Sequence, residues 1–256
     1  MSHRVVILHT NDFHNHLTAE QAETLRRAKA DAGGNAMLVD AGDAILAGNI
    51  GVRPGGEPIL SLMSDVGYDC MTLGNREFHI SESVMRHKIA LAKFPILCAN
   101  IRFRSPDSRT HRGLPTVRFI MRTVAAGVRI GVIGVTVPMV TERMSARHVS
   151  AFVFDDPVAT LANLALELRP QVDVLIGLTH IGIKADERAS ECCGALDLLI
   201  TGHTHLTLEA GDRGAAVPIV QTGSFGHLYG RVEFEVGAAR PKLVAAEIRP
   251  LDPVKC

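Results

Sequence analysis

Aspartate, asparagine and histidine recur in short clusters whose spacing lets neighbouring side chains share a centre. They are Asp12-Phe13-His14, Gly42-Asp43, Gly74-Asn75, Thr179-His180 and Gly202-His203-Thr204-His205. In extended chain, residues i and i+2 point the same way, so Asp12 with His14, and His203 with His205, can each reach one point together. Carboxylate, amide and imidazole donors gathered in this way are metal-binding chemistry, and a mixed N/O set suits Mn, Fe, Zn or Co. The glycines at 42, 74 and 202 permit tight turns and close backbone approach beside the donors.

Each cluster needs a rigid element to aim it, and each directly follows or ends a predicted strand. Arg4 to His9 reads as a buried strand, Glu20 to Ala32 as a helix, and Ala36 to Asp40 as the next strand. A helix over Pro58 to Val66 leads to a strand at Asp69 to Leu73. Ser81 can cap a helix running to about Lys93, and Phe94 to Ala99 returns as a strand. This βαβα rhythm predicts a largely parallel α/β sheet with helices on its faces.

Residues 101 to 115 are rich in Arg, Ser and Pro and read as a surface loop. Val117 to Val124 and Val128 to Thr136 form a predicted hairpin. Asp156-Pro157 supplies cap and first-turn chemistry for a helix whose apolar face is Val158, Leu161, Leu164, Ala165 and Leu168. A strand at Val172 to Thr179, a helix near Lys184 to Cys192 and a strand at Leu198 to Thr201 follow, then further strands to about residue 249. No repeat, low-complexity tract or dividing linker is visible, so residues 1–256 read as a single catalytic domain.

Ligands in open α/β sheets bind beyond the carboxyl ends of the strands, which is where all five clusters fall. Taken singly, each is an ordinary polar strand end, and His180 alone is an ordinary core or rim histidine. Five in succession, in this order, make a metal site the better reading.

Composition narrows the function. Lys plus Arg and Asp plus Glu each total 27, so the formal charge is zero, which argues against a chain-wide grip on nucleic acid or an anionic membrane. Apolar residues make up 46% and charged residues 21%, ordinary for a globular chain. The five cysteines, Cys70, Cys98, Cys192, Cys193 and Cys256, show no CxxC spacing, so reduced thiols and not a disulfide framework or thiolate zinc site are expected. The first strand starts almost at once after Met1, and no stretch approaches a membrane span, so a cytoplasmic location is the expectation. Oligomeric state is not legible.

The set D-x-H, G-D, G-N-x-E, H and G-H-x-H resembles the calcineurin-like metallophosphoesterases. The flanking Ile7 to His14, Asp40-Ala41-Gly42-Asp43, Leu73-Gly74-Asn75, Ile200 to His205 and Gln221-Thr222-Gly223 are similar to the catalytic domain of the 5′-nucleotidase / 2′,3′-cyclic-nucleotide phosphodiesterase family. The likeness runs from about residue 4 to residue 236. It implies a four-layer αββα sandwich with mixed sheets and a site for two divalent ions, manganese favoured. By the same resemblance Asp12, His14, Asp43 and His205 would hold one ion, and Asp43, Asn75, His180 and His203 the other, with the Asp43 carboxylate bridging. The implied reaction is hydrolysis of a small anionic phosphomonoester or phosphodiester by a hydroxide bridging the ions.

Two departures bear on that expectation. Where the family carries G-N-H-E-F-D, this chain has Gly74-Asn75-Arg76-Glu77-Phe78-His79, so arginine replaces the motif histidine. Arginine cannot give up its proton at neutral pH but can clamp a phosphoryl oxygen. Asn75 and Arg76 are therefore expected to bind substrate, and Arg76 and His79 to divide the family's acid-dyad role, His79 protonating the leaving oxygen. The competing reading of His79 is packing or capping at the helix starting near Ser81.

Nucleotide-specific relatives also commonly carry a C-terminal base-stacking domain, and none is expected here, so nucleotide specificity does not transfer. Phe225 stands where the resemblance puts an aromatic near the site, to touch substrate or to pack under a loop. Asn11, Asn15, His16 and Glu77 are placed to orient the donors. Arg102, Arg104, Arg109, Arg112 and Arg118 read either as a solvated face or as a steering surface for an anion. Gly33-Gly34 and Gly55-Gly56 are turns, since neither begins a P-loop. The rival functions are a sulfur-ester hydrolase of the same superfamily and a catalytically weak metal- or phosphate-binding protein.

Overall fold

A computed structural model describes residues 2–105, 113–237 and 239–251. Arg109, Arg112 and Cys256 lie outside the described residues.

The first half of the chain builds one sheet from β1 (His3–Thr10), β2 (Ala36–Asp40), β3 (Cys70–Thr72) and β4 (Ile96–Leu97), all parallel. Three helices connect them: α1 (Ala19–Ala32), α2 (Pro58–Val66) and α3 (Glu82–Ile89). Thr18 opens α1 with a capping box, its side chain accepting the Gln21 N–H while Gln21 returns a bond to the Thr18 N–H. Pro58 occupies the first turn of α2, and Gly67 ends that helix at φ 93°, a left-handed cap that glycine adopts without strain.

The second half contributes β5 (Ile101–Phe103), β6 (Phe119–Thr123), β7 (Arg129–Thr136), β8 (Phe152–Phe154), α4 (Pro157–Leu168), β9 (Val174–His180), α5 (Ile183–Cys192) and β10 (Leu198–Thr201). It continues through β11 (Thr207–Leu208), β12 (Ile219–Thr222), β13 (Leu228–Val236) and β14 (Lys242–Pro250). Asp156 caps α4 by accepting the Ala159 N–H at 2.8 Å.

Two six-stranded mixed sheets result, ordered β14-β13-β1-β2-β3-β4 and β11-β12-β10-β9-β7-β6. Strand alternation sorts the core into layers. On β1, Val5 and Ile7 face the second sheet and meet Ile130, Val132, Val174 and Ile200, while Val6 and Leu8 turn outward to Leu25 of α1 and Leu60 and Met63 of α2. Beyond the second sheet, Ile133, Leu175 and Leu199 pack against Leu161, Leu164 and Leu168 of α4. The order is helix, sheet, sheet, helix, the αββα sandwich the resemblance implied. Among the described residues no helix is long and apolar enough to cross a membrane.

Several boundaries differ from the periodicity. The helix opened by Ser81 stops at Ile89, short of Lys93, and the following strand shrinks to Ile96–Leu97. Ala90, Leu91 and Ala92 instead form a tight turn closed by bonds such as Ala90 N–H to His87 O at 3.3 Å. The strand predicted from Val172 begins at Val174 because Arg169–Gln171 forms a 3₁₀ turn. Residues 101–103, read as loop, form β5, which pairs antiparallel with β8.

Candidate metal centre

The polypeptide leaves β1 and β2 side by side. The backbone N–H groups of Asp12, His14 and Asn15 donate to the carbonyls of Gly42, Asp43 and Ala44 at 2.9, 3.0 and 2.7 Å. Holding these segments against each other requires unusual backbone. Asp12, His14, Asn15, Asp43, His203, His205 and Phe225 all have φ between 47° and 76°, and they are the non-glycine residues with positive φ among those described. Such conformations cost on the order of 1–3 kcal/mol each and persist where the surroundings enforce them. Here the strain is concentrated at one rim.

The donors predicted from sequence converge there. Asp43 turns Oδ2 toward His14 Nε2 at 3.7 Å and Oδ1 toward His180 Nε2 at 3.6 Å. Asp12 Oδ1 lies 3.6 Å from His14 Nε2 and 3.4 Å from His205 Nε2. Asn75 Oδ1 is 3.1 Å from His180 Nε2 and 3.0 Å from His203 Nδ1. Two groups emerge that could each hold an ion, Asp12-His14-His205 and Asp12-Asp43-His180, with Asn75 and His203 adjoining the second.

This arrangement fits a divalent metal. The carboxylate-to-imidazole separations are too long for hydrogen bonds. They are close to the spacing of two ligands that each sit about 2.1 Å from one shared ion. Among the described residues, Asp12 Oδ1 and His14 Nε2 are buried without a hydrogen-bond partner. Buried polar atoms are otherwise nearly always paired, and a cation supplies a partner to both.

The electrostatics agree. Burial opposes the charged form of His180, yet Asp43 and Asp12 outweigh it and push its pKa up to about 9. Burial likewise opposes charge on His14, and the same two carboxylates raise it. Burial alone would raise Asp43, but His14 and His180 carry it well below the usual carboxylate range. Burial and the neighbouring His180 lower His203. The carboxylates thus draw positive charge to this point, and a metal competes with protons for the same nitrogens.

Surrounding residues fix the donors. Asn11 Nδ2 donates to Asp12 Oδ2 at 2.8 Å while its Oδ1 accepts from the Thr222 backbone and hydroxyl. The His203 N–H donates to the same Asp12 Oδ2 at 2.9 Å, and His180 Nδ1 is 2.7 Å from Ala41 O. Glu77 is fully buried and accepts four backbone N–H groups, from Asp43, Ala44, Ile45 and Gly74. Sequence reasoning missed Asn49, whose Oδ1 accepts from Asn75 Nδ2 at 3.0 Å. It lies mid-loop with no motif around it.

The remaining predicted residues divide. Arg76 donates its backbone N–H to Asp43 Oδ1 at 2.7 Å, its Nε stands 3.8 Å from Asp43 Oδ2, and its Nη1 bonds Leu46 O at 3.0 Å. His79 meets the start of α3, its Nδ1 accepting the Ser81 N–H at 2.9 Å, and burial with nearby Lys88 lowers its pKa. Phe225 stands edge-to-face against His14, His16 and His205. Arg102 is occupied by Glu142 and Asp155, and Arg104 by Ser150 O, which favours the solvated face for these two.

A comparison with known protein families matches none of them to this chain. Protein UshA of Yersinia enterocolitica is 29% identical over 295 residues, covering 97% of this chain and 52% of that protein. The 5′-nucleotidase of Rattus norvegicus is 28% identical over 274 residues, covering 91% of this chain and 47% of the relative. The chain therefore spans about half the length of these relatives. Among solved structures, the calcineurin-like phosphoesterase YfkN from Bacillus subtilis superposes with a TM-score of 0.77 at 22% identity, over 98% of this chain and 92% of that one.

Proposed function

We propose that this chain, a homologue of the UshA and 5′-nucleotidase proteins with the fold of the calcineurin-like phosphoesterases, is a metal-dependent hydrolase of phosphoric esters. The observation that carries the reading is the Asp43 carboxylate, one oxygen of which faces His14 of the first donor group while the other faces His180 of its own. In this reading Asp12, His14, Asp43 and His205 hold one divalent ion, and Asp43, Asn75, His180 and His203 hold a second. When bound, such a pair lowers the pKa of a water and offsets charge on the phosphoryl oxygens.

The chain's own groups do the rest. Arg76, beside Asp43 and braced on Leu46 O, binds a phosphoryl oxygen and stabilises charge that develops on it. As the water oxygen bonds to phosphorus, the ester P–O bond breaks and the alcohol departs with a proton. His79 is the proposed donor of that proton. Only the imidazolium has a proton to give at ordinary pH, and forming it costs the bond that Nδ1 accepts from the Ser81 N–H. The substrate class is a small phosphomonoester or phosphodiester, nucleotides and cyclic nucleotides included.

Manganese-reconstituted protein should hydrolyse bis-nitrophenyl phosphate, and Asp43→Asn should abolish that turnover. A panel of nucleotides, cyclic nucleotides, sugar phosphates and diesters defines the natural class, with thiosulfate conjugates run in parallel. No turnover of any phosphate ester, or turnover confined to the thiosulfate conjugates, would overturn the proposal.

A further inference from the structure

Apolar side chains border the donor cluster at both ends. At the His14–His205 end, Phe225 is 40% exposed, with its ring centroid 5.2 Å from His14 and 5.9 Å from His205. Its φ of 60° is one that bulky residues avoid, and its N–H donates to Asp12 O at 2.8 Å. A strained aromatic is thus tied directly to the first donor and left open to solvent.

At the Asn75–Arg76 end lies the segment 46–51, where Leu46 is 52% and Ile50 82% exposed. This segment is held from beneath. The buried Glu57 carboxylate accepts the Leu46 and Ala47 N–H groups, both at 3.3 Å. The buried Lys88 Nζ donates to Gly48 O at 2.8 Å and Phe78 O at 3.2 Å. The Gly51 N–H closes a turn onto Gly48 O at 2.9 Å, which carries Ile50 at its tip. Burying a carboxylate and an ammonium under a loop is costly unless they are satisfied, as here by backbone groups. The fold fixes the loop and still leaves the Leu46 and Ile50 side chains in water beside the donors.

We propose that these apolar edges hold the leaving group, so that the site takes phosphate esters of apolar alkyl or aryl alcohols; this rests on the hydrolase reading above. With the phosphate over the donors, the ester's organic part extends along the rim. Leu46, Ile50 and Phe225 side chains offer no hydrogen-bond partner to the hydroxyls of a sugar, whereas an alkyl or aryl group loses water by covering them.

The test compares n-hexyl phosphate with ethyl phosphate on manganese-loaded protein, since the two alcohols leave with similar difficulty. The kcat/KM for the hexyl ester should exceed that for the ethyl ester by about tenfold, a typical return for a few methylenes on a partly open surface. Ile50→Ser, at an exposed turn tip, and Phe225→Gly, which relieves the backbone strain, should each cut that ratio about threefold or more. Turnover with equal kcat/KM for both esters, or a ratio unmoved by both variants, would overturn the apolar rim. If neither ester turns over, bis-nitrophenyl phosphate and the substrate panel decide the hydrolase reading separately. The rim is then decided by calorimetry, where hexylphosphonate should bind about tenfold tighter than ethylphosphonate and equal affinities would overturn it.

Discussion

Glu77 Oε2 accepts the backbone N–H of Asp43 at 3.0 Å, so a buried carboxylate holds the residue that faces both His14 and His180. The same group takes the N–H of Gly74 at 2.9 Å, joining the turn after β2 to the turn after β3. A Cβ on Gly74 would sit 2.2 Å from Asp43 N, so the two turns touch. Glu77→Gln keeps the shape but points amide hydrogens at backbone donors. We expect a loss of about 2–3 kcal/mol, as for a charged acceptor removed from buried donors, together with weaker metal retention. Urea melts and elemental analysis after dialysis check this. An unchanged midpoint with full metal content would remove Glu77 from the account.

Arg76 stands where the G-N-H-E-F-D motif that this segment resembles has histidine, and its guanidinium Nε lies 3.8 Å from Asp43 Oδ2. Its side chain is expected to act on substrate without retaining metal. Arg76→Ala should therefore lower kcat/KM by about 10²–10³-fold at unchanged metal content, the usual scale for one preorganised donor. Arg76→Lys should recover only part of that loss, because an ammonium cannot reproduce the guanidinium fork. Steady-state kinetics paired with metal analysis of each variant separates the roles. Loss of metal in Arg76→Ala would instead make it a structural partner of Asp43.

The legibility of this molecule follows from how local each signal is. Asp12, His14, Asp43, Asn75, His180, His203 and His205 sit at or just beyond strand ends, so predicting the strands located the donors. The strand Ala36–Asp40, the helix Pro58–Val66 and the strand Leu198–Thr201 lie where their short apolar runs and proline placed them. Strand β5 was illegible because its partner, Phe152–Phe154, is fifty residues away and its own residues, Ile101–Phe103, adjoin a polar stretch. Asn49, Glu57 and Lys88 were equally hidden. Their contacts are with side chains or backbone atoms of residues distant in sequence, which no spacing rule records.

His79 titrates below its ordinary value because burial and the charge of Lys88 disfavour the imidazolium. If it protonates the leaving oxygen, the useful form is present only below that lowered pKa and fades as pH rises through it. The advantage of wild type over His79→Ala on an alkyl phosphate should thus be greatest at acid pH and shrink toward neutrality. Nitrophenyl esters, which leave without a proton, should show little difference at any pH. Matched pH–rate profiles for the two substrates test this. A loss equal for both esters and flat with pH would leave His79 only its bond to Ser81.

His9 offers a prediction about stability that is independent of turnover. It follows Val5 and Ile7 on the inter-sheet face of β1, is 1% exposed, and among the described residues its Nδ1 has no hydrogen-bond partner. The ring fills the space opposite Gly230, where a Cβ would lie 1.9 Å from His9 Nε2. Burial lowers its pKa to about 3, while the unfolded chain keeps the ordinary 6.5. Between these values the unfolded state binds the extra proton, so stability is complete above pH 6.5 and falls as pH drops toward 3. From pH 7 to pH 5 the loss from this residue is about 2 kcal/mol, at about 1.4 kcal/mol per pH unit below 6.5. His9→Leu removes the titration, so its unfolding free energy should fall by about 2 kcal/mol less than wild type over that interval. Urea titrations of both proteins, metal-free so that the donor histidines contribute equally, give the difference directly. Parallel losses would mean that the ring is hydrated or paired in solution, and that the space beside Gly230 is not sealed.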